Sequence, residues 1–390
     1  MKHFLSPLRH FFLQPVSRAI GLIFVCDGLF YGSWSALIPY VRARFGLDEA
    51  QLGMLLFCLP LGVTLSNPLA AFSIRRFGLR RSTLGSLYAA AFCFILPVVS
   101  PNVWLTATSL LVCGVLFSVL NNTMNTCATE YEEQAHVRIL SSCHGMWSFG
   151  AMAGSALSGT LTGLGVLPAA YMFSMFVLLT LTGMGIGQRL TQVREPHSKE
   201  ARRDSPAFAW PTPFLWSLIV LSLCTNLTEG SMADWAAVYL RDVLHAAPWL
   251  TGYGFASYAF CMAAGRFLGD ALLTRYSNAT ILRVGGLTVA TGLALAVLLP
   301  YTPVVFAGFA LVGAGVSLGA PILYGSAARA PGMAPGAGLA VMNTFAMAGF
   351  LAGPTVIGFL AKSFGLQVAF LIVAGTALFW AWKSQSVRKS

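Results

Sequence analysis

Long apolar runs broken by short polar punctuation organise this chain of 390 residues. Residues 103–129 and 284–328 carry no charged side chain. About 20 apolar residues cross a bilayer as an α-helix, so the second run holds two crossings. The runs are continuous, whereas barrel strands alternate apolar and polar positions. Within lipid every backbone polar group needs an internal partner, and a helix supplies it. Turn and charge signals predict twelve spans, near 17–40, 50–74, 82–100, 103–129, 139–163, 166–190, 213–240, 249–274, 280–299, 303–328, 335–361 and 365–383.

A second pattern lies over the first. Gly53 precedes Gly252 by 199 residues, and the triplet Arg76, Phe77, Gly78 precedes Arg275, Tyr276, Ser277 by the same 199. Gly150, Gly154 and Gly159 precede Gly349, Gly353 and Gly358 at that offset too. The chain reads as two copies of one architecture joined head to tail. The only long polar stretch, 191–212, falls between them. A six-helix bundle over 1–190, a cytoplasmic linker over 191–212 and a second six-helix bundle over 213–390 follow. With the linker on the side where the first bundle starts, each half needs an even number of spans. The expected fold is an all-α membrane protein with twelve transmembrane helices in two parallel six-helix repeats. In an apolar chain such duplication points to a secondary transporter with its site between the halves.

Composition agrees. Hydrophobic residues make up 56% and charged residues 9%, with mean hydropathy +0.72; soluble domains carry about 25% charge. The net charge of +11 would suggest nucleic acid in a soluble protein. Here no basic stretch interleaves with aromatics, so no nucleic-acid partner is expected. The basic residues instead cluster at Arg75, Arg76, Arg80 and Arg81, at Arg189, Arg194, Lys199, Arg202 and Arg203, and at Lys383, Arg388 and Lys389. With both termini inside, the outer loops receive only Arg42, Arg44, Arg241 and Lys362, an asymmetry that follows the positive-inside rule. The expected location is a bacterial inner membrane, multi-pass, with cytoplasmic termini. The N-terminal residues read as a cytoplasmic tail and not a removed signal peptide. The eight cysteines lie in apolar segments without a CxxC pair and read as packing residues. No metal-ligand spacing, nucleophile elbow or phosphate loop is present, so neither an enzyme nor a cofactor is expected.

After the second span, Arg76, Gly78, Arg80 and Arg81 resemble the loop motif Gly-x-x-x-Asp-Arg-x-Gly-Arg-Arg of the major facilitator superfamily. Ala71 stands at the usual first glycine and Arg75 at the usual acid. The second half keeps Arg275 but has Thr274 and Ser277 at the acid and glycine. In the family that acid latches the halves together, so the resemblance implies a different or weaker latch here. Three further segments are similar to bacterial members near the fucose–proton symporter branch: the run from Glu229 to Trp235, the run from Gly265 to Asp270, and the run from Gly349 to Pro354. The resemblance covers essentially the whole chain. It implies alternating access, with a small-molecule substrate and a proton as partners besides the lipid bilayer; a monomer is expected because the cavity forms within one chain.

An ionisable group inside a span is costly and is a functional candidate by default. Asp27 lies about ten residues into the first span, roughly 15 Å deep at 1.5 Å per residue. The resemblance places a proton-carrying acid there, and Asp27 and Glu229 are the candidates for proton coupling. The acid the branch has in span four is replaced by Asn121, Asn122 and Asn125, which cannot titrate. Asn122 and Asn125 share a helix face; their amides suit either solute hydroxyls or helix–helix bonds. The substrate-binding candidates are Tyr31, Trp34, Asn122, Asn125, Glu229 and Tyr324, the three aromatics being on spans that line the cavity in the resembled family. The gating candidates are Asp234, Arg266, Asp270 and Arg76, with Arg266 and Asp270 one turn apart as a candidate ion pair, structural or between halves. Three functions remain open: a proton-coupled carrier of a small polar solute such as a sugar, a proton-driven exporter of drugs or metabolites, and a transport-inactive membrane sensor.

Overall fold

A computed structural model describes residues 11–196, 210–333 and 337–389. The expected linker lies largely outside the described residues. The helices follow the apolar runs in order. They are α1 (Pro15–Phe45), α2 (Glu49–Leu65 continued by Asn67–Phe77), α3 (Leu79–Cys93 with Leu96–Val99) and α4 (Val103–Ala135). Next come α5 (Leu140–Gly163), α6 (Pro168–Ile186), α7 (Pro213–Val238) and α8 (Tyr253–Arg275). The last four are α9 (Asn278–Leu298), α10 (Thr302–Val316 continued by Gly319–Ala328), α11 (Ala337–Phe364) and α12 (Leu366–Lys383).

Local chemistry sets the ends. Asp48 caps α2 in a reciprocal box: its carboxylate accepts from the Gln51 N–H at 2.8 Å, and the Gln51 amide oxygen accepts from the Asp48 N–H at 3.0 Å. Asn102 caps α4 and Ser277 caps α9 in the same way on one side. Prolines open α1, α6 and α7, where a missing N–H costs nothing. α2 bends by 53° after Leu65.

Eight of the described helices are long and apolar enough to span a membrane by themselves, and the bent α2 makes nine. The three that fall short are α5, α7 and α8. They carry the glycines, hydroxyls and charges of the interior and are sheltered by their neighbours. The central position of α1 shows in the same way: 83% of its apolar window is buried, against 28% for peripheral α6.

The 199-residue glycine repeat finds its meaning at two crossings between the halves. α2 meets α11 where a methyl on Gly53 would lie 3.1 Å from Gly358 Cα. α8 meets α5 where a methyl on Gly252 would lie 3.0 Å from Gly159 Cα. Since Gly53 and Gly252 are repeat mates, as are Gly159 and Gly358, these are one contact made twice. Gly150 and Gly154 bring α5 against the backbone of α1 at Val25 and Leu29, while their mates Gly349 and Gly353 meet side chains of Leu223 and Leu227 on α7.

Candidate substrate and proton site

The helical period puts Asp27, Tyr31 and Trp34 on one stripe of α1. Asp27 is fully buried. Its Oδ2 accepts a hydrogen bond from the Trp147 indole N–H on α5 at 2.7 Å, and its Oδ1 is buried without a partner. The tight α1–α5 crossing makes this bond: Gly28 lies against the Trp147 and Ala151 backbone, and side chains there would hold the indole away. Tyr31 stacks on Phe117 with ring centroids 5.4 Å apart and tilts against Trp147 at 5.6 Å. Its phenol lies within electrostatic reach of Asp234, Glu229 and Asp27, so one tyrosine gathers three carboxyls from both halves.

The second half answers with α7 and α8. Arg266 reaches across to α5, donating from Nη1 to Ser148 Oγ at 2.8 Å and to the His144 carbonyl at 3.5 Å, while its Nη2 lies 4.0 Å from Glu229 Oε2. Tyr258 packs parallel to Phe255 and leaves its buried hydroxyl unpartnered, within reach of Glu229 and Arg266. Tyr324 on α10 is half-buried and also within reach of Glu229. Asp234 faces a small cavity with Tyr31, Trp34, Gly230 and Phe350, while neighbouring Trp235 is fully buried on another face.

On α4 the amide nitrogens of Asn122 and Asn125 donate to the carbonyls one turn back, Ser118 at 2.8 Å and Asn121 at 2.7 Å. Neither bridges to another helix, and among the described residues their amide oxygens take no partner. Asn122, Thr126 and Thr129 form a polar stripe of partly to fully exposed positions down α4. A polar stripe on a spanning helix belongs to a water-filled cavity. That stripe leads from the site toward the end where the linker leaves.

The opposite end is shut. Ser35 on α1 donates to the Ala233 carbonyl on α7. Arg42 pairs with Glu49 at 2.5 Å within its own half and with Asp242 across the gap. Arg241 donates back to the Pro39 carbonyl, and Lys362 on α11 meets Asp48 at 3.0 Å. Ser155 Oγ donates to the Gly252 carbonyl at 2.7 Å beside the glycine crossing. The Gln51 backbone N–H, and then the Lys362 ammonium, hold the Asp48 carboxyl below the usual carboxylate range.

The sequence model of the Major Facilitator Superfamily matches residues 20–334 and again 239–384. The chain belongs to the major facilitator superfamily. An uncharacterised MFS-type transporter of Yersinia pestis is 33% identical over 383 residues, covering 97% of this chain and 98% of that protein. Membrane protein MosC of Rhizobium meliloti is 27% identical over 372 residues, covering 94% and 88%. Among solved structures, the nucleoside transporter NupG superposes with TM-score 0.67 at 12% identity, covering 97% of this chain and 100% of that one. The D-xylose-proton symporter superposes with TM-score 0.69 at 15% identity, covering 94% and 96%. These two likenesses show the fold.

In this superfamily transporter the structure brings Asp27, Tyr31, Trp34, Glu229, Asp234, Arg266 and Tyr324 around one centre, with Asn122 and Asn125 along its approach. Arg266 is near Glu229; the side chain of Asp270, the partner that their spacing suggested, lies outside the described residues. Arg76 is exposed at the α2–α3 corner and takes part in no ion pair among the described residues. The loop there is tied differently. Glu195 accepts from the Leu79 N–H through both carboxylate oxygens, at 2.7 and 3.0 Å, and Arg80 donates to the Gly187 carbonyl at 2.7 Å. Gly78 sits at φ +81° with its α-carbon facing Glu195, a place where a side chain would be strained and would crowd the carboxylate. Sequence reasoning missed the closed-end residues Ser35, Arg42, Asp48, Asp242 and Lys362. A signal existed: the four basic residues that break the charge asymmetry are those the structure neutralises or ties to backbone, Arg44 included through the Val98 carbonyl at 2.5 Å.

Proposed function

We propose that this transporter carries a small polar solute, such as a sugar, together with a proton by alternating access. The observation that carries the reading is Asp27: a buried carboxyl with one oxygen held by Trp147 and the other bare, beside Tyr31 at the seam between the halves. Such a group can be neutral with a proton or charged against the indole, and either state changes what the opposite half meets. Glu229 is the second coupling acid, alternating between its partner Arg266 in the same half and a proton. Tyr31, Trp34 and Tyr324 offer ring faces to the solute, and the Asn122 and Asn125 amide oxygens accept from its hydroxyls. A structural likeness supports the class: one neighbour of the same fold is a D-xylose-proton symporter.

The orientation follows from charge. With residues 1–190 and 213–390 as the two bundles and the linker in the cytoplasm, the sealed Arg42–Asp242 end faces outward and the α4 stripe opens inward. Asp234 and Arg266 then lie on either side of the solute as inner elements of the gates.

A thermal-shift screen of sugars, organic acids and drugs on purified protein identifies the ligand, and uptake into liposomes under a pH gradient tests the coupling. Asp27→Asn should retain ligand binding and lose accumulation driven by the gradient. Full pH-driven uptake by that variant would refute the proton role. A screen in which only apolar drugs shift the protein would favour the exporter.

A further inference from the structure

A groove of about 640 Å³ runs down the surface of the second half between α8, α9 and α10. Its walls are mostly apolar: Leu268 and Leu272 from α8, Ile281 and Val284 from α9, and Leu318 from α10. Leu268 and Val284 are 50% and 56% exposed, so the groove opens to whatever surrounds the bundle. It starts at Tyr276 and Thr280, at the linker end, and rises to Cys261 and Thr288. The α8 wall from 261 to 276 is about 22 Å long at 1.5 Å per residue. One leaflet of a hydrocarbon core about 30 Å thick is covered by that length. At this depth the surroundings are lipid, and an extended acyl chain has the right shape and polarity.

The mouth adds charge. Arg275 and Arg283 are exposed on either side of it. Arg283 lies one turn from groove-lining Thr280, and the Arg275 guanidinium sits 5.7 Å from the centre of the Tyr276 ring. Two guanidiniums and an interfacial tyrosine at headgroup level suit a phosphate, which arginine holds through paired N–H donors. We propose that this groove is a binding site for one anionic phospholipid of the linker-side leaflet, with an acyl chain between α8, α9 and α10 and the phosphate between Arg275 and Arg283. Gly265, in the groove wall, precedes Arg266, so an occupied groove also braces the helix that holds the Glu229 partner.

Native mass spectrometry of the full chain, released from detergent after titration with phosphatidylglycerol, reads the site directly. The wild type should retain one phosphatidylglycerol that phosphatidylcholine at the same concentration does not replace. Each basic side chain near an anionic headgroup is worth about 1 kcal/mol, so Arg275→Gln with Arg283→Gln should weaken that adduct about thirtyfold. Thr288→Trp, which fills the apolar part and leaves both arginines, should weaken it as well. The proposal is overturned by unchanged retention in either variant or by equal retention of phosphatidylcholine. Displacement of the lipid by inorganic phosphate alone also overturns it, because the site would then hold a free anion.

Discussion

Asp27 and Trp147 show how one hydrogen bond couples packing to chemistry. Glycines 28, 150 and 154 let α1 and α5 touch backbone to backbone, and only that approach puts the indole N–H 2.7 Å from the carboxylate. A hydrogen bond to a charged group contributes about 2 kcal/mol. Trp147→Phe keeps an aromatic side chain and removes the donor, so pH-driven uptake should drop about thirtyfold with the protein still folded and monodisperse. Wild-type uptake by that variant would mean the bond is structural only. At this scale the sequence was informative about depth and silent about direction. An acid well inside a span is conspicuous wherever it points, so the depth of Asp27 and Glu229 was legible. The contacts of Arg266 with Glu229 on α7 and Ser148 on α5 were not, because tertiary packing makes them between helices far apart in the chain. Asn122 and Asn125 were legible as a shared face, but their donors turn back onto their own helix, which spacing does not reveal.

Helices α2, α5, α8 and α11 carry the closed end, and the glycine repeat is its sequence record. Because Gly53–Gly358 and Gly252–Gly159 are the same contact in the two halves, a wedge at either should act alike. Overpacking by a leucine costs about 2 kcal/mol. Gly159→Leu or Gly358→Leu should therefore shift the closed-to-open ratio of that end roughly thirtyfold, seen as faster maleimide labelling of a cysteine placed at Ser35. Unchanged labelling in both variants would separate the glycine crossings from the gate. The Asp48–Lys362 pair has a defined pH behaviour. The Asp48 carboxyl is held below its usual range, so its contribution is complete above the unperturbed value, about 3.9, and is lost only as pH falls through the lower value of the closed state. Lys362→Gln should loosen the gate by the same increment from pH 5 to pH 8 in the same labelling assay. An increment that disappears within that window would contradict the pairing. The element pattern was the most legible level, since apolar runs and caps define helices locally. The three spans α5, α7 and α8 are least apolar because they are interior, and there the repeat and the flanking turns, more than hydropathy, marked the crossings.

For the whole molecule, the two-fold relation between halves was visible in the 199-residue offset, whereas the conformation was not. A sequence that alternates between two shapes encodes both, and only the contacts tell which one is present. Here the ion pairs at Arg42, Asp48 and Lys362 close one end while the polar α4 stripe lies open toward the other. Alternating access requires that these ends exchange roles as rigid bundles turn about the Asp27–Tyr31–Glu229 centre. Pulsed electron–electron distance measurement on the liposome-embedded protein reads both ends. One spin-label pair replaces Trp104 and Tyr301 at the closed end, and another replaces Phe77 and Tyr276, exposed repeat mates at the linker end. On addition of the screened ligand across a pH step, the account predicts that the 104–301 distance lengthens as the 77–276 distance shortens, in the same fraction of molecules. Movement of both pairs in the same direction, or of one pair with the other fixed, would contradict it.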